Sequence, residues 1–260
     1  MNDSLITSVA NPIVKQARAL REHKVRVETS LFLVEGIHHV GEAIQAGWKI
    51  ESILYAPEIL KSDFAKGLIS HFPAVARAVS AQVFDSLASK ENPQGILAIV
   101  HQNQTRLADF KSSSFGTALV APQDPGNIGA ILRTLDAVGG NALFLLDGGA
   151  DPYNNISVRA SMGALFWVPI FQLPFAELIP WAHEHKAQLI GTSAHAGLHY
   201  KESVIDHPWL LIMGSEQKGL SAEQLADCDI SVSIPMNGRA SSLNLAVAAG
   251  ILLYEFVHKD

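Results

Sequence analysis

Two α/β domains joined by a short polar linker are what this sequence predicts, and three observations predict it. Apolar strand-like runs alternate with helix-patterned segments along nearly the whole chain. One polar, serine-rich stretch, HQNQTRLADFKSSSF at 101–115, interrupts that alternation. The 260 residues are 48% hydrophobic and 17% charged. That is apolar enough for two cores and far from disordered or collagen-like compositions. The expected division is a first domain over 1–101, a linker over 102–115 and a second domain over 116–260.

In the first domain, Ile13–Glu22 is helical in pattern and Leu31–Glu35 reads as a strand. His38–Ala46 is a helix stopped by Gly47, a residue suited to a helix C-terminus. Strands follow at Ser52–Tyr55 and Val75–Val79, helices at Ile59–Ser70 and Ala81–Ser89, and an apolar strand at Ile96–Val100.

The second domain opens with a strand at Thr117–Ala121. A Pro-Gly turn follows, then a helix over Ile128–Val138 with Asn127 as its natural N-cap. Further strands are expected at Ala142–Leu146, Trp167–Phe171, Gln188–Thr192, Trp209–Met213 and Ile230–Ile234, in a mostly parallel sheet. Helices are expected at Phe175–His185 and near Ala222–Ala226. The last helix, from about Ser242 to Val257, is apolar nearly all round, so it is buried on several sides. It reads either as a central core helix or as one shared with a second copy of the chain in a homodimer.

Charge and cysteine content narrow the function classes. The single Cys228 excludes an intramolecular disulfide and any multi-cysteine metal site, which fits a reducing, cytoplasmic setting. His183, His185, His195 and His199 match no zinc spacing, so no metal is expected. The N-terminus lacks a signal-peptide core, and the longest apolar run is too short for a membrane span. The net charge of −6 argues against indiscriminate polyanion binding. Lys15, Arg18, Arg21, Lys24 and Arg26 against Glu22 nevertheless make a local charge of +4. Phosphate-loop, dinucleotide-fold and hydrolase-elbow motifs are all missing.

Three polar, glycine-bearing segments each follow a strand of the second domain, where α/β proteins bind ligands. The first, DPGNIGAILRT at 124–134, carries Asn127 and Arg133. Arg133 reads either as a solvated side chain or as one aimed at phosphate or ribose. The second, GSEQKGL at 214–220, pairs Gly214, which permits close backbone approach, with Glu216 at the strand mouth. The third, IPMNGRASSLNLAVA at 234–248, places Ser242 and Asn244 at the head of an apolar helix. An amide there must find partners.

In this order and spacing the three segments resemble the signature motifs of the SpoU (TrmH-like) family of SPOUT RNA methyltransferases. The matches are N-x-G-A-x-x-R-T at 127–134, G-x-E-x-x-G-L at 214–220 and I-P-M…S-S-L-N-L-x-V-A at 234–248. The stretch 151–170 also resembles the family's interval between the first two motifs. FLVEG at 32–36, Glu42-Ala and NPQGI at 92–96 resemble its N-terminal substrate-binding domain. Leu135 and Ala246 depart from the common Ala and Ser, outside the polar set.

The resemblance implies a ribosomal-protein-like α/β sandwich followed by a SPOUT domain with a trefoil knot, dimeric through that domain. It implies methylation of a ribose 2′-hydroxyl in structured RNA with S-adenosylmethionine as donor; the additional N-terminal domain favours ribosomal RNA, with tRNA as the alternative target. By motif position, Arg133, Asn127, Glu216, Ser242 and Asn244 are the expected catalytic set. Gly214, Ile234, Met236 and Leu243, with Thr192 and Ser193, are expected to enclose the cofactor. Lys15, Arg18 and Arg21 recur at helical spacing and, with Arg159 and Arg239, are candidates for RNA phosphates. Two other classes remain open at this point: an RNA-binding protein without catalysis, and a small-molecule enzyme on the same fold.

Overall fold

A computed structural model describes residues 5–89, 92–103, 105–107 and 115–259. It separates into two compact units: residues 1–103 with Tyr153–Phe166, and residues 104–152 with 167–260. Within the expected linker, 104 and 108–114 lie outside the described residues.

The first unit contains α1 (Pro12–Ala19), α2 (His23–Thr29), β1 (Leu31–Glu35), α3 (Ile37–Gln45), β2 (Ile50–Tyr55), α4 (Asp63–Ser70), β3 (Ala76–Ala78), α5 (Ala81–Leu87) and β4 (Ile96–His101). Its sheet has the order β1-β4-β2-β3, with β4 antiparallel to both β1 and β2, and β3 parallel to β2. Helix starts follow local chemistry. The Asn11 side chain accepts from the Ile13 N–H ahead of Pro12, and Ser62 and Ser80 cap α4 and α5 in the same way. Val14 and Ala17 of α1, with Leu20 at its C-terminus, meet Leu31, Leu54, Phe84 and Ile99 in the core.

Arg26 within the basic run at 15–26 is structural. Arg26 is 3% exposed, and its Nη1 donates to the carbonyls of Leu20 and Arg21 at 2.8 Å. It thereby satisfies carbonyls that the end of α1 leaves open. The helix expected over Ile13–Glu22 stops at Ala19, where the chain turns, and α2, which the pattern did not predict, begins at His23.

The expected second domain ran unbroken from 116. The observed first unit takes back Tyr153–Phe166. This stretch contains α7 (Asn155–Ala160), absent from the sequence reading, which lies against β1. Tyr153 and Phe166 join Phe32 and Trp48 in an aromatic cluster, with Phe32–Tyr153 centroids 4.8 Å apart and Trp48–Phe166 5.3 Å. Aromatic burial of this kind outweighs sequence distance. The Trp48 indole donates to the Phe166 carbonyl at 2.9 Å, and the Tyr153 hydroxyl to the Asn103 carbonyl at 3.1 Å.

The second unit contains β5 (Phe115–Val120), α6 (Pro125–Ala137), β6 (Ala142–Leu146), β7 (Ile170–Leu173), α8 (Phe175–Glu184), β8 (Gln188–Thr192), β9 (Leu198–His199), β10 (Trp209–Met213), α9 (Ala222–Ala226), β11 (Ile230–Ser233) and α10 (Leu245–Phe256). All seven strands are parallel, in the order β7-β6-β5-β10-β8-β11-β9. Every residue of β5, β6 and β10 is buried, which is why these strands read as unbroken apolar runs. Trp209 stacks on Phe115 with centroids 4.6 Å apart, a pairing worth about 0.5–1.5 kcal/mol beyond burial.

Chain order moves outward from β5 to β7 on one side, then resumes on the other side with β8 and β10. The reversal falls between β5 and β10, where ligands of open parallel sheets gather. Among the described residues, no helix is long and apolar enough to cross a membrane.

Candidate active site

The loop after β10 is shaped by its glycines. A Cβ at Gly214 would strike the backbone of Gly219 and Leu220, so only glycine lets the loop fold back on itself. The Gly219 N–H donates to the Ser215 carbonyl at 2.9 Å, and Gly219 adopts a φ of +66°. This turn carries Glu216 across to the end of β5.

There the Glu216 carboxylate collects three donors. Oε2 accepts from the Gln123 N–H at 3.0 Å; Oε1 accepts from the Asp124 N–H at 3.3 Å and from Asn127 Nδ2 at 2.9 Å. Burial on its own pushes this carboxyl up. The hydrogen bonds from Asn127, Gln123, the Glu216 backbone and Asp124 outweigh it and hold the group below the usual carboxylate range. Glu216 is therefore ionised at neutral pH.

Asn127 is not the cap of α6. Asp124 is, its Oδ1 accepting from the Gly126 N–H at 2.7 Å. The helix starts at Pro125, earlier than the sequence pattern suggests, and Asn127 sits buried in its first turn, 6% exposed. Its Oδ1 accepts from Asn244 Nδ2 at 2.9 Å. Asn244 in turn caps α10, its Oδ1 accepting from the N–H groups of Ala246 at 2.9 Å and Val247 at 3.2 Å. The last helix thus begins at Leu245, and Asn244 rather than Ser242 closes it. Glu216, Asn127 and Asn244 form one hydrogen-bonded chain, linking the three motifs in space.

Beside this chain lies a cavity of ≈ 410 Å³, within the range of small-molecule sites, about 300–1,000 Å³. It opens at the carboxyl ends of β8, β10 and β11. Thr192 and Ser193 line it from β8, Gly214 and Glu216 from β10, and Ile234, Met236, Ser242 and Leu243 from the segment after β11. Leu245, Ala248 and Leu252 form the α10 wall. Sequence reasoning missed His195, Gln217 and Lys218, which also line it; their adjacency to Ser193 and Glu216 was the available signal. The close backbone turn at Gly214 and the mixed polar and apolar lining fit a flat ring held by main-chain groups beside a polar moiety.

Arg133 stands apart. It is exposed and does not line the cavity. It lies six residues beyond Asn127, about 240° around the helix and ~9 Å along it. Thr134, one residue later, faces Gly250 of α10 instead. The Arg133 side chain has no hydrogen-bond or ion-pair partner among the described residues.

The proposed RNA-contacting residues divide similarly. Arg18 Nη2 donates to Ser86 Oγ at 3.2 Å, and Arg21 Nη2 to the Leu87 and Ala88 carbonyls at 2.9 and 3.2 Å. Both tie α1 to the end of α5. Lys15, Arg159 and Arg239 are exposed.

Comparison with known proteins adds a second line of observation. A family model described as "SpoU rRNA Methylase family" matches residues 115–254, and an "MRM3-like substrate binding domain" matches 11–98. A 23S rRNA (guanosine-2′-O)-methyltransferase of Bacillus subtilis, RlmP, is 33% identical over 96% of this chain and 97% of its own. A 23S rRNA (uridine-2′-O)-methyltransferase of Streptomyces viridochromogenes is 33% identical over 90% of this chain and 85% of its own. The structure of an AdoMet-bound rRNA methyltransferase from Sinorhizobium meliloti superposes with a TM-score of 0.88 at 34% identity, covering 97% of this chain and 96% of that one.

Proposed function

The chain belongs to the SpoU rRNA methylase family, and from that premise we propose that it transfers a methyl group from S-adenosylmethionine to a ribose 2′-hydroxyl of ribosomal RNA. The observation that carries this reading is the hydrogen-bonded chain Glu216–Asn127–Asn244 beside the ≈ 410 Å³ cavity. It is supported by relatives of this class that span both units of the chain.

S-adenosylmethionine, when bound, supplies an electrophilic methyl group on a sulfonium. Thr192, Gly214, Ile234, Met236 and Leu243 are the residues that would hold it. Glu216 keeps the Asn127 amide in one orientation, its NH2 toward the carboxylate and its oxygen toward Asn244. That fixes the start of α10, and with it one wall of the cavity. Arg133 carries a guanidinium, a planar fork of N–H donors. Its unpartnered guanidinium is suited to steady a developing alkoxide and to engage the neighbouring phosphate. Ser242, on the cavity lining, is a hydrogen-bonding group for substrate.

A homodimer through the second unit belongs to the same reading. Val247 and Tyr254 are each 52% exposed on α10, a helix whose opposite side lines the cavity. Apolar exposure of this kind marks a contact surface. The trefoil knot of the family and a cytoplasmic setting go with it.

The test is methyl transfer from tritiated S-adenosylmethionine to RNA from a strain lacking the gene, separated into ribosomal and transfer pools. Alkali-resistant label in the ribosomal pool is the expected result. Label confined to tRNA would overturn the substrate class, and label at an alkali-labile position would overturn the chemistry.

A further inference from the structure

The first unit holds a cavity of its own, ≈ 130 Å³, remote in sequence from the three motifs. Its walls include the buried side chains of Leu20, Leu97 and Val158. Exposed Arg21 and Arg159 stand among its lining residues. Val158 and Arg159 come from α7, so the stretch that packs back onto the first unit supplies one side of the cavity.

Glu35, the acidic residue of the FLVEG stretch, also lines it. Its Oε2 is used by Ser89, accepting from the backbone N–H at 3.0 Å and from the hydroxyl. Its Oε1 is buried and has no hydrogen-bond partner among the described residues. A buried acceptor is ordinarily satisfied, and one that is not calls for a ligand. Arg21 spends Nη2 on the carbonyls that follow α5. The Arg159 side chain has no protein partner among the described residues.

Apolar walls, one free carboxylate oxygen and a free guanidinium match one kind of occupant. A nucleobase offers apolar faces and an edge with N–H donors, and it carries a phosphate on its sugar. We propose that this cavity receives a single unstacked nucleotide of the substrate RNA. The base edge donates an N–H to Glu35 Oε1, and Arg159 contacts the phosphate. Glu35 and Arg159 are then target-selecting residues in the first unit. The proposal rests on the RNA-methyltransferase reading above.

The test uses the full chain, with ribosomal RNA extracted from a strain lacking the gene. Two readouts are taken: steady-state methyl transfer at saturating S-adenosylmethionine, and filter binding of the same RNA at several salt concentrations. In Glu35→Gln the amide oxygen stays with the Ser89 N–H, so an NH2 replaces the free acceptor. The variant should raise KM for RNA about tenfold, with kcat, KM for S-adenosylmethionine and the salt slope unchanged; a tenfold change is the scale of one base contact. Arg159→Ala alters only an exposed side chain. It should weaken RNA binding and lower the salt slope by roughly one. Glu28→Gln is the surface control and should change neither.

Unchanged RNA affinity in both variants would overturn the proposal. If Glu35→Gln proves unfolded, Arg159→Ala alone decides. Filter binding needs no catalysis. An inactive wild type whose RNA binding still weakens in Glu35→Gln would sink the methyltransferase reading and leave the nucleotide site standing.

Discussion

Asn127 and Asn244 are 117 residues apart in sequence, and their side-chain amides meet in a 2.9 Å hydrogen bond. The bond joins the first turn of α6 to the cap of α10. It also passes the orientation set by Glu216 on to the helix that walls the cavity. Two helices and a loop from three separate motifs are thereby locked into one arrangement.

That lock should be measurable as coupling. Asn127→Ala and Asn244→Ala are each expected to destabilise, and the double variant should lose less than the sum. A double-mutant cycle in urea should give a coupling energy of about 1 kcal/mol. A value near zero would mean that the amides sit together without stabilising each other.

The carboxylate gives the pair a pH signature. Glu216 has a folded-state pKa below its ordinary value. Its contribution is therefore complete above the ordinary carboxylate range and is lost as pH falls through the lowered folded value. Melting temperature measured against pH should show this acid-side loss in the wild type. Glu216→Gln should lower the melting temperature at neutral pH and narrow the difference from wild type as the solution is acidified. A constant difference at all pH values would remove the charge from the explanation.

Much of this arrangement was visible before the structure. Buried parallel strands announced themselves as apolar runs, and two of the three polar segments after them line one cavity, with the first tied to both through Asn127. The caps were not visible. Asp124 and Asn127 are both good capping residues, and only backbone geometry selects Asp124 and frees Asn127 for Glu216. The placement of Tyr153–Phe166 was also hidden, because it depends on Phe32 and Trp48, more than a hundred residues away. Charge counting could not show that Arg18 bonds the Ser86 hydroxyl, or that Arg21 and Arg26 bond carbonyls at nearby helix ends. A sequence cannot say which arginines already have partners in the fold.

Gly214 is the sharpest single-atom constraint in the site. Gly214→Ala puts a methyl group into the backbone of Gly219 and Leu220, an overpacking cost of about 1–3 kcal/mol. The 214–220 loop should open and carry Glu216 away from Asn127. Calorimetric titration with S-adenosylmethionine should find affinity reduced at least tenfold, while the sheet persists by circular dichroism. Undiminished affinity would place the cofactor elsewhere.

The most direct test of the central claim separates binding from chemistry at Arg133. This residue is exposed, lies outside the cavity lining and has no partner among the described residues. Arg133→Ala should therefore bind S-adenosylmethionine with wild-type affinity by calorimetry. Its methyl transfer to ribosomal RNA should fall by about 10²-fold or more, the scale of losing one transition-state charge contact. Intact binding with lost transfer would place Arg133 at the reacting ribose. Transfer at the wild-type rate, or parallel loss of cofactor binding and transfer, would contradict the account.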